Sequence, residues 1–202
     1  MTGPVTHSEL RRKMVETCRR MNASGINQGT AGNLSARVPE GFLITPSSMP
    51  YDIMEPGDLV EMAFDGTYVG RRPSSEWRFH RDILRTRTDI DVVLHCHSVY
   101  ATTLACHHKV IPAFHYMVGV AGGNTIRCAG YATFGTQELS DHALVALDGR
   151  MACLLGQHGQ HQLGAHTGST GEHGITQGIG KTGRAVRGTG LAQCGGKGLL
   201  DG

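Results

Sequence analysis

Two histidines separated by one residue lie at the end of an apolar segment, "DVVLHCHSVY", which runs from Asp91 to Tyr100. Its leading residues predict a buried strand, and on a strand residues i and i+2 project from the same face. The imidazoles of His95 and His97 therefore share a face and can bind one ion. Zinc suits such a pair, with three protein ligands and an open position when the site is catalytic.

A third ligand must come from elsewhere in the chain. His158 is the preferred candidate, because it follows a buried-looking strand, "MACLL", and is flanked by Gly156 and Gly159. Spacing alone leaves the choice open, and the competing histidines are His80, His107, His108, His115 and His142. The alternative interpretation of His95 and His97 is a pair of hydrogen-bonded core histidines without a metal.

Two further segments have the composition of an anion site. The segment "PSSE", residues 73–76, places two hydroxyls and several free backbone N–H groups at a predicted helix start. The segment "GTAGN", residues 29–33, has glycines that allow a backbone to approach a phosphate. An ordinary helix cap and a simple turn are the alternatives for these two segments.

The sequence also predicts the helices and strands that position these residues. Apolar residues that recur every three or four positions predict an amphipathic helix over residues 8–23. An Asp-Gly turn at residues 65–66 predicts a hairpin. A helix that opens at Pro73 places Glu76 in its first turn, and another is expected over residues 137–147. This mixture predicts an α/β fold with much antiparallel pairing.

Composition limits the kinds of partner. The 202 residues suit one ordinary domain, and 19 basic against 17 acidic residues give a net charge of only +2. We therefore expect a small-molecule partner and neither nucleic acid nor a membrane. No apolar segment approaches the roughly 18–20 residues that span a bilayer, and no signal peptide is evident, so a cytoplasmic location is expected. The 6 cysteines lack any Cys-x-x-Cys pair, which predicts reduced, mostly buried thiols.

Seven ordered blocks of the sequence resemble the class II aldolase and adducin family. They span about Ser8 to Gly159 and read "GTAGNLSAR", "LITPSSMPY", "PSSEWRFH", "VVLHCHS", "IPAFHYMVGVAGG", "YATFGTQELS" and "ACLLGQHG". The resemblance implies a single α/β domain in which helices flank a central, mainly antiparallel sheet. It also implies a homotetramer with active sites at subunit interfaces.

The same resemblance implies a set of site residues. One zinc ion per chain would be bound by His95, His97 and His158, with Glu76 as a further metal-site residue that also serves as acid/base. Tyr116 would be a second catalytic residue and would approach the active site of a neighbouring subunit. The implied phosphate site consists of Thr30, Gly32, Asn33, Ser47, Ser74 and Ser75.

The implied reaction is cleavage of L-fuculose 1-phosphate, or a similar ketose 1-phosphate, to dihydroxyacetone phosphate and an aldehyde. Cleavage leaves an enediolate, whose charge zinc stabilises as a Lewis acid while a carboxylate such as Glu76 moves a proton at its carbon. Alternatives within the family are a sugar-phosphate epimerase, a dehydratase and a decarboxylase. A non-catalytic, adducin-like interaction module is a further alternative, and the three histidines and Glu76 argue against it.

The chain departs from the family pattern at three places. Ser48 stands where a glycine is usual, and Gln157 stands where an asparagine or histidine is usual. After residue 159 the family's long helix is not legible, and just over half of the chain's 29 glycines lie in residues 156–202. The sequence therefore predicts a domain over residues 1–159 and a glycine-rich, poorly ordered tail over 160–202. A reading-frame shift near codons 156–160 is the favoured hypothesis, and a divergent tail is the alternative.

Overall fold

An eight-stranded sheet forms the centre of the structure, a computed structural model that describes residues 6–165. The strands are β1 (Asn33–Val38), β2 (Gly41–Ile44), β3 (Val60–Met62), β4 (Tyr68–Val69), β5 (Ile90–Cys96), β6 (Arg127–Ala129), β7 (Ala152–Leu155) and β8 (Gln160–Ala165). The α-helices are α1 (Ser8–Ala23), α2 (Trp77–Thr86), α3 (Val99–Cys106) and α4 (Gln137–Leu147). Two short 3-10 helices span Pro56–Asp58 and Tyr116–Ala121.

The strands lie in the order β4-β3-β2-β1-β5-β8-β7-β6. Every neighbouring pair is antiparallel except β6 and β7, which are parallel. This arrangement confirms the predicted α/β class with helices around a mainly antiparallel sheet. The predicted hairpin with the Asp-Gly turn is confirmed as β3 and β4.

The two faces of the sheet are covered by different helices. On one face α1 packs its apolar side, including the fully buried Met14 and Cys18, against Leu94 of β5. On the other face α2 and α4 pack against the sheet, with Phe79 and Leu139 in the same cluster as β5 residues. Because side chains alternate along a strand, His95 lies on the face covered by α2, where its ring is 5.5 Å from that of Phe79.

The start of α2 differs slightly from the expectation that Glu76 lies in the first helical turn. The helix begins at Trp77, and Glu76 occupies the preceding capping position with φ −98° and ψ 14°. A turn precedes the helix, since the Trp77 N–H donates to the Ser74 carbonyl at 3.1 Å and the Glu76 N–H donates to the Ser74 hydroxyl at 3.3 Å. The Ser74 N–H in turn donates to the Thr45 carbonyl at 3.0 Å, which ties this turn to the end of β2.

The strand β8 corrects the expectation that no regular element follows residue 159. Residues 160–165 lie between β5 and β7 and pair antiparallel with both. The backbone explains the difference, because two interior strands need hydrogen-bond partners whatever side chains the intervening segment carries. Residues 166–202 of the expected tail lie outside the described residues. The reading-frame hypothesis stays a prediction that resequencing of the coding DNA will check.

The structure also bears on the cysteines and on membrane-spanning helices. The five cysteines within the described residues are free; Cys18, Cys96 and Cys153 are buried, Cys128 is half-buried and Cys106 is exposed. Among residues 6–165, no helix combines the length and the apolar character that a bilayer crossing needs.

Candidate metal centre

The structure brings three of the predicted residues together at the carboxyl end of β5. His95 is in β5, His97 follows it directly, and His158 is in the turn between β7 and β8. Their ligand nitrogens all lie within 4.8 Å of one another, and Nε2 of His95 is 2.9 Å from Nε2 of His97. None of the five competing histidines, all of which fall among residues 6–165, belongs to this cluster. The structure therefore places His158, and none of the competing histidines, beside the His95 and His97 pair.

Backbone contacts hold these rings in place. Nδ1 of His95 donates to the Gln160 carbonyl of β8 at 3.0 Å, which leaves Nε2 free to act as a ligand. Gly159 allows the close approach of the turn, since a Cβ there would lie 2.9 Å from the Cys96 carbonyl and 3.0 Å from each of the His95 and His97 rings. The two glycines that flank His158 in the sequence thus serve packing against β5 and β6, because a Cβ at Gly156 would lie 2.7 Å from the Ala129 carbonyl.

Glu76 faces the same cluster from the start of α2. Its Oε1 is 3.1 Å from Nε2 of His158, and its Oε2 is 3.4 Å from Nε2 of His95. Asn33 donates to Oε2 at 2.9 Å. Burial alone raises the pKa of Glu76, but His95, His158 and the Asn33 amide together outweigh burial and hold this pKa well below its usual range. Glu76 is therefore a buried carboxylate anion beside three imidazoles.

The donor set fits a metal ion. Burial lowers the pKa of His95 to about 3 and also lowers the pKa of His97, so both rings are neutral near pH 7 and present lone pairs. Oε1 of Glu76 is buried and, despite its distance from His158, has no partner of hydrogen-bond geometry within the described residues. Two nitrogens that each lie about 2.0–2.1 Å from a tetrahedral zinc are about 3.3 Å apart, close to the His95–His97 separation.

The predicted phosphate-site residues lie on three segments that contact one another, because the Thr45 N–H donates to the Leu34 carbonyl and Asn33 donates to Glu76. Ser47, Ser74 and Ser75 lie on adjoining segments, because Pro46 and Pro73 form a bridge and the Ser47 N–H donates to the Arg72 carbonyl at 3.0 Å. Ser74 is buried and Ser75 is half-buried.

The other three predicted phosphate ligands lie at the entry to β1. Thr30 is exposed, whereas Gly32 and Asn33 are buried. A Cβ at Gly32 would be 2.6 Å from the His95 carbonyl, so this glycine is required for packing. The Asn33 side chain contacts Glu76 and His80.

Tyr116 lies on the surface. It begins the 3-10 helix Tyr116–Ala121, is 81% exposed and has its ring 4.5 Å from that of His115. Phe114 and Val120 beside it in the chain are also exposed. The described chain thus leaves this predicted catalytic residue available to a neighbouring molecule.

Sequence reasoning missed three buried polar residues near the centre. His80, considered only as a metal ligand, contacts Asn33, and Ser35 contacts His80 at 2.6 Å. The sequence did contain a signal, since His80 follows Glu76 by one helical turn and Ser35 follows Asn33 by two strand positions. His161 was hidden in the expected tail and lies opposite His95 in the register of β5 and β8.

Comparisons with known proteins all point to one family. The family described as Class II Aldolase and Adducin N-terminal domain matches residues 12–170. A 5-methylthioribulose-1-phosphate/5-deoxyribulose-1-phosphate aldolase of Rhodospirillum rubrum is 51% identical over 162 residues, which cover 80% of this chain and 73% of that protein. An L-fuculose phosphate aldolase of Escherichia coli is 46% identical over 153 residues, which cover 75% of this chain and 71% of that protein.

Solved structures give the same result. A structure described as L-fuculose 1-phosphate aldolase superposes with a TM-score of 0.79 at 32% identity, covering 99% of this chain and 94% of the other. The L-fuculose-1-phosphate aldolase of Thermus thermophilus superposes with a TM-score of 0.74 at 25% identity, covering 96% of this chain and 100% of the other.

Proposed function

Because the chain belongs to the class II aldolase and adducin family, we propose that it cleaves a ketose 1-phosphate between C3 and C4. The products are dihydroxyacetone phosphate and an aldehyde. One observation carries the proposal: the buried carboxylate of Glu76 lies 3.1 Å and 3.4 Å from nitrogens of two of the three converging histidines. A carboxylate beside a metal-binding cluster suits proton transfer at a carbon whose charge a metal stabilises.

His95, His97 and His158 are the residues that would hold the metal, one zinc ion per chain. When bound, zinc supplies Lewis-acid stabilisation of negative charge on the substrate's oxygens. The chain prepares the three ligands, since the Gln160 carbonyl orients the His95 ring and Gly159 lets the turn close against it. Neutral rings bind a cation without first losing a proton.

Glu76 transfers the proton at the reacting carbon. Cleavage removes a proton from the C4 hydroxyl and returns one to the enediolate carbon, so the proton count balances. In this direction Glu76 delivers the proton to carbon, and in the condensation direction it removes it. Its Oε2 is held by the Asn33 amide, whereas Oε1 has no such partner within the described residues and faces His158.

The phosphate would bind where the segments of Ser47, Ser74 and Ser75 adjoin, with Thr30, Gly32 and Asn33 at the entry to β1. Support comes from the backbone contacts that bring residues 45–47 beside 72–74. A hydroxyl on a phosphate binds ground and transition states alike and therefore mainly affects substrate affinity.

The proposal also concerns which aldehyde is released, and therefore which ketose 1-phosphate is the substrate. The two relatives described above are named for L-fuculose phosphate and for 5-methylthioribulose and 5-deoxyribulose 1-phosphates. These compounds share the half that becomes dihydroxyacetone phosphate and differ beyond C4. We propose L-fuculose 1-phosphate or a similar ketose 1-phosphate as substrate, with 5-deoxyribulose 1-phosphate as the second compound to assay.

The assembly proposed is a homotetramer with active sites at subunit interfaces, to which Tyr116 of one copy contributes at the site of another. Support comes from the exposure of Tyr116 together with Phe114 and Val120, since adjacent exposed apolar side chains mark interaction surfaces. A cytoplasmic location stays a prediction from the sequence.

The test is a coupled assay for dihydroxyacetone phosphate on zinc-loaded protein, with both ketose 1-phosphates. The wild-type chain should release dihydroxyacetone phosphate, and Glu76→Gln should lower kcat by about 10²–10⁴-fold, because an amide cannot transfer the proton. The matched control is metal content, which should stay near one zinc per chain in Glu76→Gln. Unchanged turnover would assign the proton transfer to another group, and no product from either compound would favour the epimerase, dehydratase or decarboxylase alternatives.

A further inference from the structure

A row of hydrogen-bonded, buried polar side chains from β1 and α2 ends at the Glu76 carboxylate. Ser35 and His80 are fully buried, and Asn33 is 4% exposed. The Ser35 hydroxyl is 2.6 Å from Nδ1 of His80, Nε2 of His80 contacts Oδ1 of Asn33, and Nδ2 of Asn33 is 2.9 Å from Oε2 of Glu76. Every member of the row thus touches the next.

Only one direction of donation satisfies all three contacts. An ionised carboxylate can only accept, so Asn33 must present its NH₂ group to Glu76 and its carbonyl oxygen to His80. Nε2 of His80 must then carry the proton, which leaves Nδ1 to accept from the Ser35 hydroxyl. Burial, followed by the nearby His95, lowers the pKa of His80 to about 3, so the ring is neutral with one donor and one acceptor, as this order requires.

His80 determines which end of the Asn33 amide faces the Glu76 carboxylate. An amide that rotated by half a turn would present its oxygen to the carboxylate, and the two acceptors would repel each other. The N–H of His80 prevents this rotation because it can only donate to an oxygen. His80 itself lies outside the three-histidine cluster, and both of its nitrogens already have partners.

We propose that His80, supported by Ser35, is a positioning residue that fixes the Asn33 amide and through it the Glu76 carboxylate. The inference rests on the proposed role of Glu76 in proton transfer. It assigns no contact between His80 and the substrate. Its effect should fall mainly on kcat, because a displaced carboxylate impairs the proton transfer, whereas only Asn33 among the six proposed phosphate ligands would move and the metal ligands would not.

The experiment compares His80→Leu with His80→Gln in zinc-loaded protein. Leucine removes both hydrogen bonds at similar volume, whereas the amide of glutamine can still donate to Asn33. His80→Leu should lower kcat about tenfold or more with little change in KM, and His80→Gln should recover most of the loss. Both variants should retain about one zinc per chain. Ser35→Ala removes only the hydrogen bond to His80 and should lower kcat by a few-fold. It replaces His80→Leu in the test if that variant does not fold.

A crystal structure of His80→Leu, or of Ser35→Ala if the first does not fold, tests the inference without reference to turnover. A displaced Glu76 carboxylate supports the inference, and an unchanged carboxylate overturns it. An unaltered kcat in an active enzyme whose Glu76→Gln variant is inactive would also overturn it while leaving the proposed function intact. A wild-type chain without aldolase activity would instead refute the proposed function, and the structural comparison would still decide the geometry.

Discussion

Two histidines that face each other across neighbouring strands illustrate how differently one side chain can be used. His95 of β5 and His161 of β8 are paired in register, their ring centroids are 5.1 Å apart, and both are almost fully buried. His95 donates to the Gln160 carbonyl and approaches His97, whereas neither nitrogen of His161 has a partner among residues 6–165. Two imidazoles buried on the same face therefore differ in whether they have polar partners among the described residues.

The difference also separates two contributions of β8. Its backbone pairs with β5 and β7 and supplies the carbonyl that orients His95. Its His161 side chain contacts Phe79 and His95, and burial lowers its pKa well below the usual value, so the ring is neutral. Neither ring nitrogen has a hydrogen-bond partner in the part of the chain that the structure describes. An unpaired buried polar group costs about 1–3 kcal/mol. This strand thus supports the site with its backbone and weakens the fold with one side chain.

The largest expected contrast concerns zinc. His95→Ala should weaken zinc binding by more than about 100-fold, because it removes a ligand, whereas His161→Ala should leave about one zinc per chain. Metal analysis after dialysis against a weak chelator measures both variants. Full zinc occupancy in a His95→Ala, His97→Ala double variant would show that these two histidines are not zinc ligands and would remove the proposed difference between His95 and His161.

Asp82 provides a buried polar group whose partners are complete. It accepts hydrogen bonds from Arg81 at 2.8 Å, Gln137 at 2.7 Å and Ser140 at 2.8 Å, and so joins α2 to α4. Asp82→Ala should lower the free energy of unfolding by roughly 2–3 kcal/mol in urea titrations at pH 7, because three donors lose their acceptor. The control is Asp89→Ala, an exposed carboxylate paired with Arg87, which should cost less than about 1 kcal/mol.

The pH dependence of stability follows from the same carboxylate. Burial raises the pKa of Asp82, but hydrogen bonds from Arg81, Gln137 and Ser140 outweigh burial and lower it. A depressed folded-state pKa contributes stability above the unfolded pKa of about 3.9, and this is lost as pH falls through the folded value. The free energy of unfolding should therefore fall below about pH 4, and less steeply in Asp82→Asn. Equal slopes for the two proteins would contradict this assignment.

His161→Leu tests a buried polar group that lacks hydrogen-bond partners among the described residues. Leucine has similar volume and no polar atoms, so the unfolding free energy should rise by about 1–3 kcal/mol. Thermal and urea unfolding with a chelator present excludes any effect of bound metal. The exposed His107→Leu is the matched control and should change stability by less than about 0.5 kcal/mol. A less stable His161→Leu would contradict the interpretation that this imidazole is an unpaired polar group.

The smallest expected effect concerns backbone conformation. Ser48, which stands where the family usually has glycine, has a φ of 57°, a left-handed conformation that is strained for residues with a Cβ. Ser48→Gly should therefore raise the unfolding free energy by about 0.5–1 kcal/mol, after allowance for the greater entropy loss of glycine. Ser24→Gly, at φ −86°, is the control and should give no gain. A loss of stability in Ser48→Gly would show that the side chain compensates for its backbone.

Local patterns in the sequence determined much of this molecule. The apolar spacing of residues 8–23 predicted α1, and the Asp-Gly turn predicted the hairpin of β3 and β4. The His-x-His pair predicted that His95 and His97 lie together at the end of β5. Each depends on residues within one helix or strand, where a repeat of 3.6 or 2 residues fixes direction. His158 was only one of six candidates from spacing, and the family resemblance singled it out.

The tertiary structure alone decided the rest. The strand β8 lacks a legible apolar pattern, and its place follows from the hydrogen bonds that β5 and β7 require. The contacts that join Asn33 to Glu76 and Ser35 to His80 span 43 and 45 positions of the chain, and the partner of His95 in β8 is 65 positions away. Such contacts depend on strand register and on how α2 packs on the sheet, and no local repeat encodes either. The sequence predicted the three histidines as candidate ligands, and packing at long range determined which buried polar groups have partners.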